Sequence, residues 1–196
     1  MVRRAPVQTC RVQVYLSDPK IIAGLSREAR SGRVSISQAA GHAIALAYAS
    51  HDHRRVKAVI ETAHALLANL DPSDEMAFCL EHGKLGSVHL NDQNGLKYDQ
   101  DKNFGSANLR AAFNQVRVLE EAGYGRRGEF IGLDVKTMRT QAGVPVTEHL
   151  KASRRIFLHL VEKVRTWDRA RVEEYRATRD YEALELYTLQ HLLGVK

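Results

Sequence analysis

The run "LNDQNGLKYDQDKNFG", residues 90–105, decides how this sequence is interpreted. It begins in the alternating segment "GSVHLND", which predicts a strand, and leads into "SANLRAAFNQVRVLEEAGYG". The latter segment predicts an amphipathic helix, because its apolar residues recur at helical spacing. These residues are Leu109, Ala112, Phe113, Val116 and Leu119. The run itself contains three aspartates and two glycines, so it is either a solvated turn or a loop whose carboxylates bind a cation.

The same alternation of strands and helices extends on both sides of this loop. Upstream, "SQAAGHAIALAYAS" predicts an alanine-rich helix, "VKAVIE" a strand, and "SDEMAFCLEHG" a helix with Ser73 as N-cap and Gly83 as its stop. Downstream, "EFIGLDV" predicts a third strand, and residues 148–164 predict a long amphipathic helix. Strands that alternate with helices of this length favour βα units with a parallel sheet, which is an α/β fold.

The composition is that of an ordinary globular protein, with 196 residues, 44% of them hydrophobic and 27% charged. No run of about 18 apolar residues supports a membrane span, and the first residues lack the apolar core of a secretory signal. The two cysteines, Cys10 and Cys79, are too few for a disulfide framework. Free thiols in the reducing cytoplasm are therefore the expectation.

The net charge of +6 is concentrated near the N-terminus. Residues 1–35 carry seven lysines and arginines against two acidic residues, a net of +5, which leaves +1 for the rest of the chain. A basic arm can bind nucleic acid, but no helix-turn-helix, RNP or zinc-finger pattern accompanies it. Nucleic acid is therefore a disfavoured partner. We interpret residues 1–35 as an atypical basic leader that is not native to the fold.

Functional residues of parallel βα folds lie at the carboxyl ends of the strands. Applied to the three predicted strands, this rule selects six candidate metal ligands: Glu61, His64, His89, Asp99, Asp101 and Asp134. Carboxylates gathered on one rim need a counter-charge, and a divalent cation is the simplest one. A ligand set of mostly oxygen atoms with one or two imidazoles suits Mg²⁺, Mn²⁺ or Co²⁺ better than structural Zn²⁺.

Simpler interpretations of these residues stay open. Asp134 could be a helix N-cap, His64 an ordinary helix residue, and the aspartates of the loop an Asx-type turn. Asp92 has no predicted role beyond the turn. An EF-hand is excluded, because Phe104 and Arg110 stand where that loop requires glycine and glutamate.

Several segments together resemble the C-terminal half of xylose isomerase and its TIM-barrel sugar-isomerase relatives. They are "GHAIAL", "ETAHALLANL", "GKLGSVHLNDQNGLKYDQDKNFGSANLRAAFNQVRVLEEAGYG" and "FIGLDVKTMRT", of which "GLKYDQDKNFG" is the most specific. The resemblance runs from about residue 40 to the end. It implies that residues 36–166 are part of a (β/α)8 barrel, and that residues 167–196 are a helical arm used in homo-oligomer contacts.

The resemblance also implies an aldose–ketose isomerase of carbohydrate metabolism, which uses two divalent cations during a hydride shift on xylose or a related sugar. Glu61 corresponds to the glutamate that bridges the two cations. His64, Asp99 and Asp101 correspond to ligands of the catalytic metal, and Asp134 to a ligand of the metal that holds the sugar.

The chain departs from the family pattern at two places. His89 stands where the family usually has aspartate, and residues 24–37, "GLSREARSGRVSIS", replace a Glu-Pro-Lys-Pro-type strand end. The family lysine and histidine–aspartate pair have no counterpart, so the catalytic residues stay unassigned. We therefore expect a truncated chain with impaired activity. Alternatives are a non-catalytic half-barrel that docks on a homologous subunit, and another isomerase or an epimerase on the same barrel.

Overall fold

The computed structural model describes residues 57–96 and 98–195, and those from Val59 onward form one compact unit. The alanine-rich helix and the basic leader expected upstream lie outside the described residues. The described part contains three strands and six helices. In chain order they are β1 (Ala58–Glu61), α1 (Thr62–Leu67), α2 (Pro72–Glu81), β2 (Leu85–Leu90), α3 (Leu109–Glu121), β3 (Phe130–Leu133), α4 (Glu148–Arg165), α5 (Arg169–Thr178) and α6 (Tyr181–Leu193).

The three strands form one sheet in the order β1–β2–β3. β2 and β3 pair in parallel, with Ser87 opposite Phe130 and Leu90 opposite Leu133. On the other side of β2, Asn91 Nδ2 donates to Glu61 Oε1 at 3.4 Å, so the ends of β1 and β2 also lie at the same edge. The prediction of a mixed α/β fold with a parallel sheet is confirmed. This arrangement is compatible with part of a TIM barrel.

The core is formed by buried side chains of β2, α2 and α3. Val88 and Leu90 of β2 are fully buried, and Met76 of α2 is as well. The predicted apolar face of α3 supplies most of the remainder: Ala112, Phe113, Val116 and Leu119 are each at most 2% exposed. Leu109, at the first position of the helix, keeps 40% of its surface exposed and contributes little.

The N-cap predicted for α2 is wrong by two residues. Asp71 is the cap, and its Oδ1 accepts hydrogen bonds from Ser73 N at 2.8 Å and from Ser73 Oγ at 2.6 Å. Pro72 occupies the first turn, where its missing N–H costs nothing. At the other end Gly83 has φ +63°, a conformation that glycine adopts without penalty, and the predicted stop is confirmed.

The C-terminal tail is helical, as predicted, and packs on its own chain. Trp167 lies against Phe113 of α3, with ring centroids 5.1 Å apart, and against Tyr187 and His191 of α6. Lys163 Nζ of α4 donates to His191 O at 2.6 Å. Within the described residues, no helix is long and apolar enough to cross a membrane.

Candidate metal centre

Asp92 organises the loop between β2 and α3. It is buried, and its Oδ2 accepts hydrogen bonds from the backbone N–H groups of Ala107 at 2.7 Å and Asn108 at 3.0 Å. Its Oδ1 accepts from Gln93 N at 2.8 Å, and its backbone forms an antiparallel bridge with Lys102. Asp92 is thus a buried structural carboxylate that closes the loop and directs the chain into α3, and not a solvated turn residue.

The loop brings Asp99 to the end of β1. Glu61 is the last residue of β1 and His64 lies in the first turn of α1, so a helical turn places both on one side. His64 Nδ1 lies 3.2 Å from Glu61 Oε2, and His64 Nε2 lies 3.7 Å from Asp99 Oδ2. Glu61, His64 and Asp99 offer ligand atoms that all lie within 4.8 Å of one another. We call them the His64 group.

A second set of three residues uses the ends of all three strands. Glu61, His89 and Asp134 also place one ligand atom each within 4.8 Å of the others, and we call them the His89 group. His89 Nδ1 lies 3.7 Å from Asp134 Oδ2. Asp134 is no helix N-cap, since the next helix is preceded by Thr147. Glu61 is common to both groups.

The structure does not bring Asp101 into either group. It is nearly buried, with φ +43°, and its two oxygens already have partners. Lys136 Nζ lies 2.5 Å from Asp101 Oδ2, and Asn91 Nδ2 donates to Asp101 Oδ1 at 3.1 Å. Lys136 Nζ also donates to Asp99 O at 3.3 Å, so Asp101 lies beside the His64 group. Five of the six predicted ligands therefore fall into the two groups.

The electrostatics of the cluster favour a cation. Burial raises the pKa of Glu61, and the carboxylates of Asp134 and Asp99 add to that effect while His64 and Asn91 oppose it. Burial likewise raises the pKa of Asp99, followed by the influence of Asp101, with Lys136 and His64 opposing it. Among the described residues, the buried Oδ1 of Asp99 has no hydrogen-bond partner.

The donor chemistry fits divalent cations of the hard or borderline type. Together the two groups contain three carboxylates and two imidazoles, a set that suits Mg²⁺, Mn²⁺ or Co²⁺. An orphaned carboxylate oxygen beside further carboxylates is stabilised when a cation supplies the missing positive charge. Glu61 belongs to both groups, so the two candidate sites have one ligand in common.

Sequence reasoning missed Asn91 and Lys136. Both follow strand ends, Asn91 directly after β2 and Lys136 two residues after Asp134, so the carboxyl-edge rule could have included them. The rule considers acidic residues and histidines, because these are the usual metal ligands. It therefore does not select the side-chain amide of Asn91 or the amine of Lys136.

Two curated proteins show what the chain is similar to. The first, the xylose isomerase of Thermus thermophilus, is 38% identical over 103 residues, which are 53% of this chain and 26% of the relative. The second, the xylose isomerase of Streptomyces lividans, is 44% identical over 81 residues, 41% of this chain and 20% of the relative. Over about half of its length, the chain is similar in sequence to these two xylose isomerases.

The resemblance to xylose isomerases drawn from the sequence is thereby confirmed for about half the chain. No protein-family model matches the chain. The matched regions cover only about a quarter or a fifth of the two xylose isomerases.

Proposed function

We propose that the chain is part of an aldose–ketose isomerase of the xylose isomerase type, acting on xylose or a related sugar. The observation that carries the proposal is the sharing of Glu61 by the His64 group and the His89 group at the carboxyl edge of the sheet. The two relatives named xylose isomerase support the reaction class. The three strands are proposed to be part of a (β/α)8 barrel, whose strand ends form the catalytic rim.

Two divalent cations in such a centre would polarise the sugar oxygens and lower the pKa of water. Glu61 would bind both, since it belongs to both groups. The His64 group would add His64 and Asp99 for one cation, and the His89 group would add His89 and Asp134 for the other. Asp101 is paired with Lys136 beside the His64 group, so in this proposal it borders the centre without holding a cation.

The metal centre is tested by calorimetric titration of the purified chain with Mn²⁺. We expect two binding steps, loss of both in Glu61→Gln, and loss of only one in His64→Ala. Glu182→Gln, an exposed glutamate on α6, removes the same charge elsewhere and should leave both steps intact. Failure of the wild-type chain to bind Mn²⁺, or two intact steps in Glu61→Gln, would overturn the centre.

The reaction class is tested separately, by incubating the chain with Mn²⁺ and xylose and measuring xylulose. We expect little turnover by this chain, because the lysine and the histidine–aspartate pair of the family have no assigned counterparts in it. Robust turnover would contradict that expectation while supporting the isomerase assignment.

A second candidate function is docking on a homologous subunit without catalysis. On α6, Leu186, Leu189 and Leu193 recur at helical spacing and are 58%, 45% and 72% exposed. Phe130, on the outer strand β3, is 77% exposed. An apolar stripe of this kind favours an interface. Docking predicts concentration-dependent assembly by light scattering, its loss in Leu189→Glu, and no rise in melting temperature with Mn²⁺.

A further inference from the structure

Asn91 is a fully buried polar residue at the centre of the candidate site, directly after the last residue of β2. Its side chain makes three hydrogen bonds, each to a different element. Oδ1 accepts from the backbone N–H of Ala63 at 2.7 Å, while Nδ2 donates to Glu61 Oε1 at 3.4 Å and to Asp101 Oδ1 at 3.1 Å. The amide is thus the point at which the β1–α1 turn, the end of β2 and the loop meet.

The orientation of this amide is fixed by its surroundings. A backbone N–H can only donate, so the atom that faces Ala63 must be the oxygen of Asn91. The nitrogen consequently faces the two carboxylates, and each of its two hydrogens has one acceptor. The reversed amide would place a donor against the N–H of Ala63, so only this orientation satisfies all three partners.

Asn91 lies between the carboxylates of Glu61 and Asp101, where a cationic side chain would compete with a metal ion. A neutral amide that donates to both holds them in place without adding charge. Asn91 contacts Oε1 of Glu61, whose other oxygen faces His64, and Oδ1 of Asp101, whose other oxygen faces Lys136. One oxygen of each carboxylate is therefore held by the amide, which leaves the other oxygen of Glu61 directed at His64 and that of Asp101 paired with Lys136.

From these contacts we infer that Asn91 is a positioning residue, which sets the orientation of Glu61 and Asp101 across the edge of the sheet through its two Nδ2 hydrogens. The inference rests on the proposed metal centre for its functional meaning. It extends that proposal by assigning the alignment of the shared glutamate to a residue that is itself no ligand.

The first test needs no metal. In the ¹⁵N-labelled, metal-free chain, the side-chain NH₂ pair of Asn91 should exchange slowly with solvent, and its resonances should shift in both Glu61→Gln and Asp101→Asn. The NH₂ pair of Asn94, an exposed residue of the same loop, is the matched control and should exchange rapidly and shift in neither variant. An Asn91 pair that exchanges as fast as that of Asn94 would overturn the inference.

The second test measures Mn²⁺ affinity. Asn91→Ser should weaken Mn²⁺ binding about 10- to 100-fold, as expected when the hydrogen bonds that orient a metal ligand are removed. Asn94→Ser should leave the affinity unchanged. Equal affinity in a folded Asn91→Ser would refute the positioning role.

The two tests separate this inference from the proposed function. If the wild-type chain binds no Mn²⁺, the metal centre fails, and the exchange and shift measurements alone decide whether Asn91 holds the two carboxylates. If Asn91→Ser does not fold, the exchange and shift measurements still test the inference, because they require only the wild-type chain and the two carboxylate variants.

Discussion

The buried Oδ1 of Asp99, which lacks a hydrogen-bond partner among the described residues, makes this carboxylate costly to ionise without a cation. Burial and the neighbouring Asp101 raise its pKa. With a folded-state pKa above the unfolded value, the folded protein retains the proton to higher pH than the unfolded chain. The resulting stability is present at low pH and is lost as the pH rises through the folded-state pKa.

Asp99→Asn should therefore stabilise the metal-free protein near neutral pH. Because the side chain is 39% exposed, solvent screening limits the gain, and we expect the melting temperature to rise by about 2 °C. The difference from wild type should shrink as the pH falls toward about 4, and the rise in melting temperature with Mn²⁺ should be reduced. Thermal melts with EDTA or Mn²⁺ at several pH values measure this. A lower metal-free melting temperature near neutral pH would contradict it.

Gly132 provides space for the imidazole of His89. The two residues are paired across β2 and β3, and a Cβ at position 132 would lie 3.3 Å from His89 Cδ2 and 3.5 Å from Val88 O. Gly132→Ala should displace the imidazole and weaken Mn²⁺ binding about tenfold. The circular dichroism spectrum should stay that of the wild type.

A double-mutant cycle checks this mechanism. If Gly132→Ala acts through the imidazole, it should cause no further loss of Mn²⁺ affinity in a His89→Ala background. Additive losses would show that the substitution disturbs the sheet instead.

At the level of elements, Asp92 joins the end of β2 to the start of α3 through three backbone N–H groups. Asp92→Ala removes three hydrogen bonds to a buried, charged acceptor, so we expect the free energy of unfolding to fall by roughly 3 kcal/mol. Urea denaturation measures the loss. Asn108→Ala, which removes only the N-cap of α3, is the control and should cost about 1 kcal/mol. Equal losses in the two variants would show that the connection made by Asp92 is unimportant.

The elements were largely predictable because their signals are local. Helical periodicity alone predicts the buried face of α3, and the carboxyl-edge rule places Glu61, His64 and His89 together from the sequence. The pairing of Lys136 with Asp101 spans 35 residues and depends on the register of β2 and β3, which no local pattern encodes. The burial of Asp92 likewise depends on the path of the loop, since an aspartate near glycine looks like a turn residue in sequence.

At the scale of the whole molecule, the C-terminal helices are attached to the α/β part by an aromatic cluster around Trp167. Trp167 is 9% exposed, and its indole contacts rings of α3 and α6. Trp167→Ala should lower the free energy of unfolding by about 3–5 kcal/mol, the usual loss for a large buried aromatic residue. Chemical denaturation followed by circular dichroism measures the change.

The control for this prediction is Tyr181→Ala, on the same tail but 62% exposed. It should change stability by less than about 0.5 kcal/mol. Similar losses in both variants would mean that the tail stabilises the fold by its helicity and not by the aromatic cluster.

Trp167 is also the single tryptophan of the chain, so the tryptophan fluorescence of the protein comes from this residue alone. Its intrinsic fluorescence should be blue-shifted while the indole is shielded by Phe113 and Tyr187, and should move to longer wavelength when the C-terminal helices detach. Trp167 is not a candidate metal ligand, so removal of the cations should not change its emission directly. The natural sequence therefore contains a spectroscopic reporter that can follow detachment of the tail separately from loss of the cations.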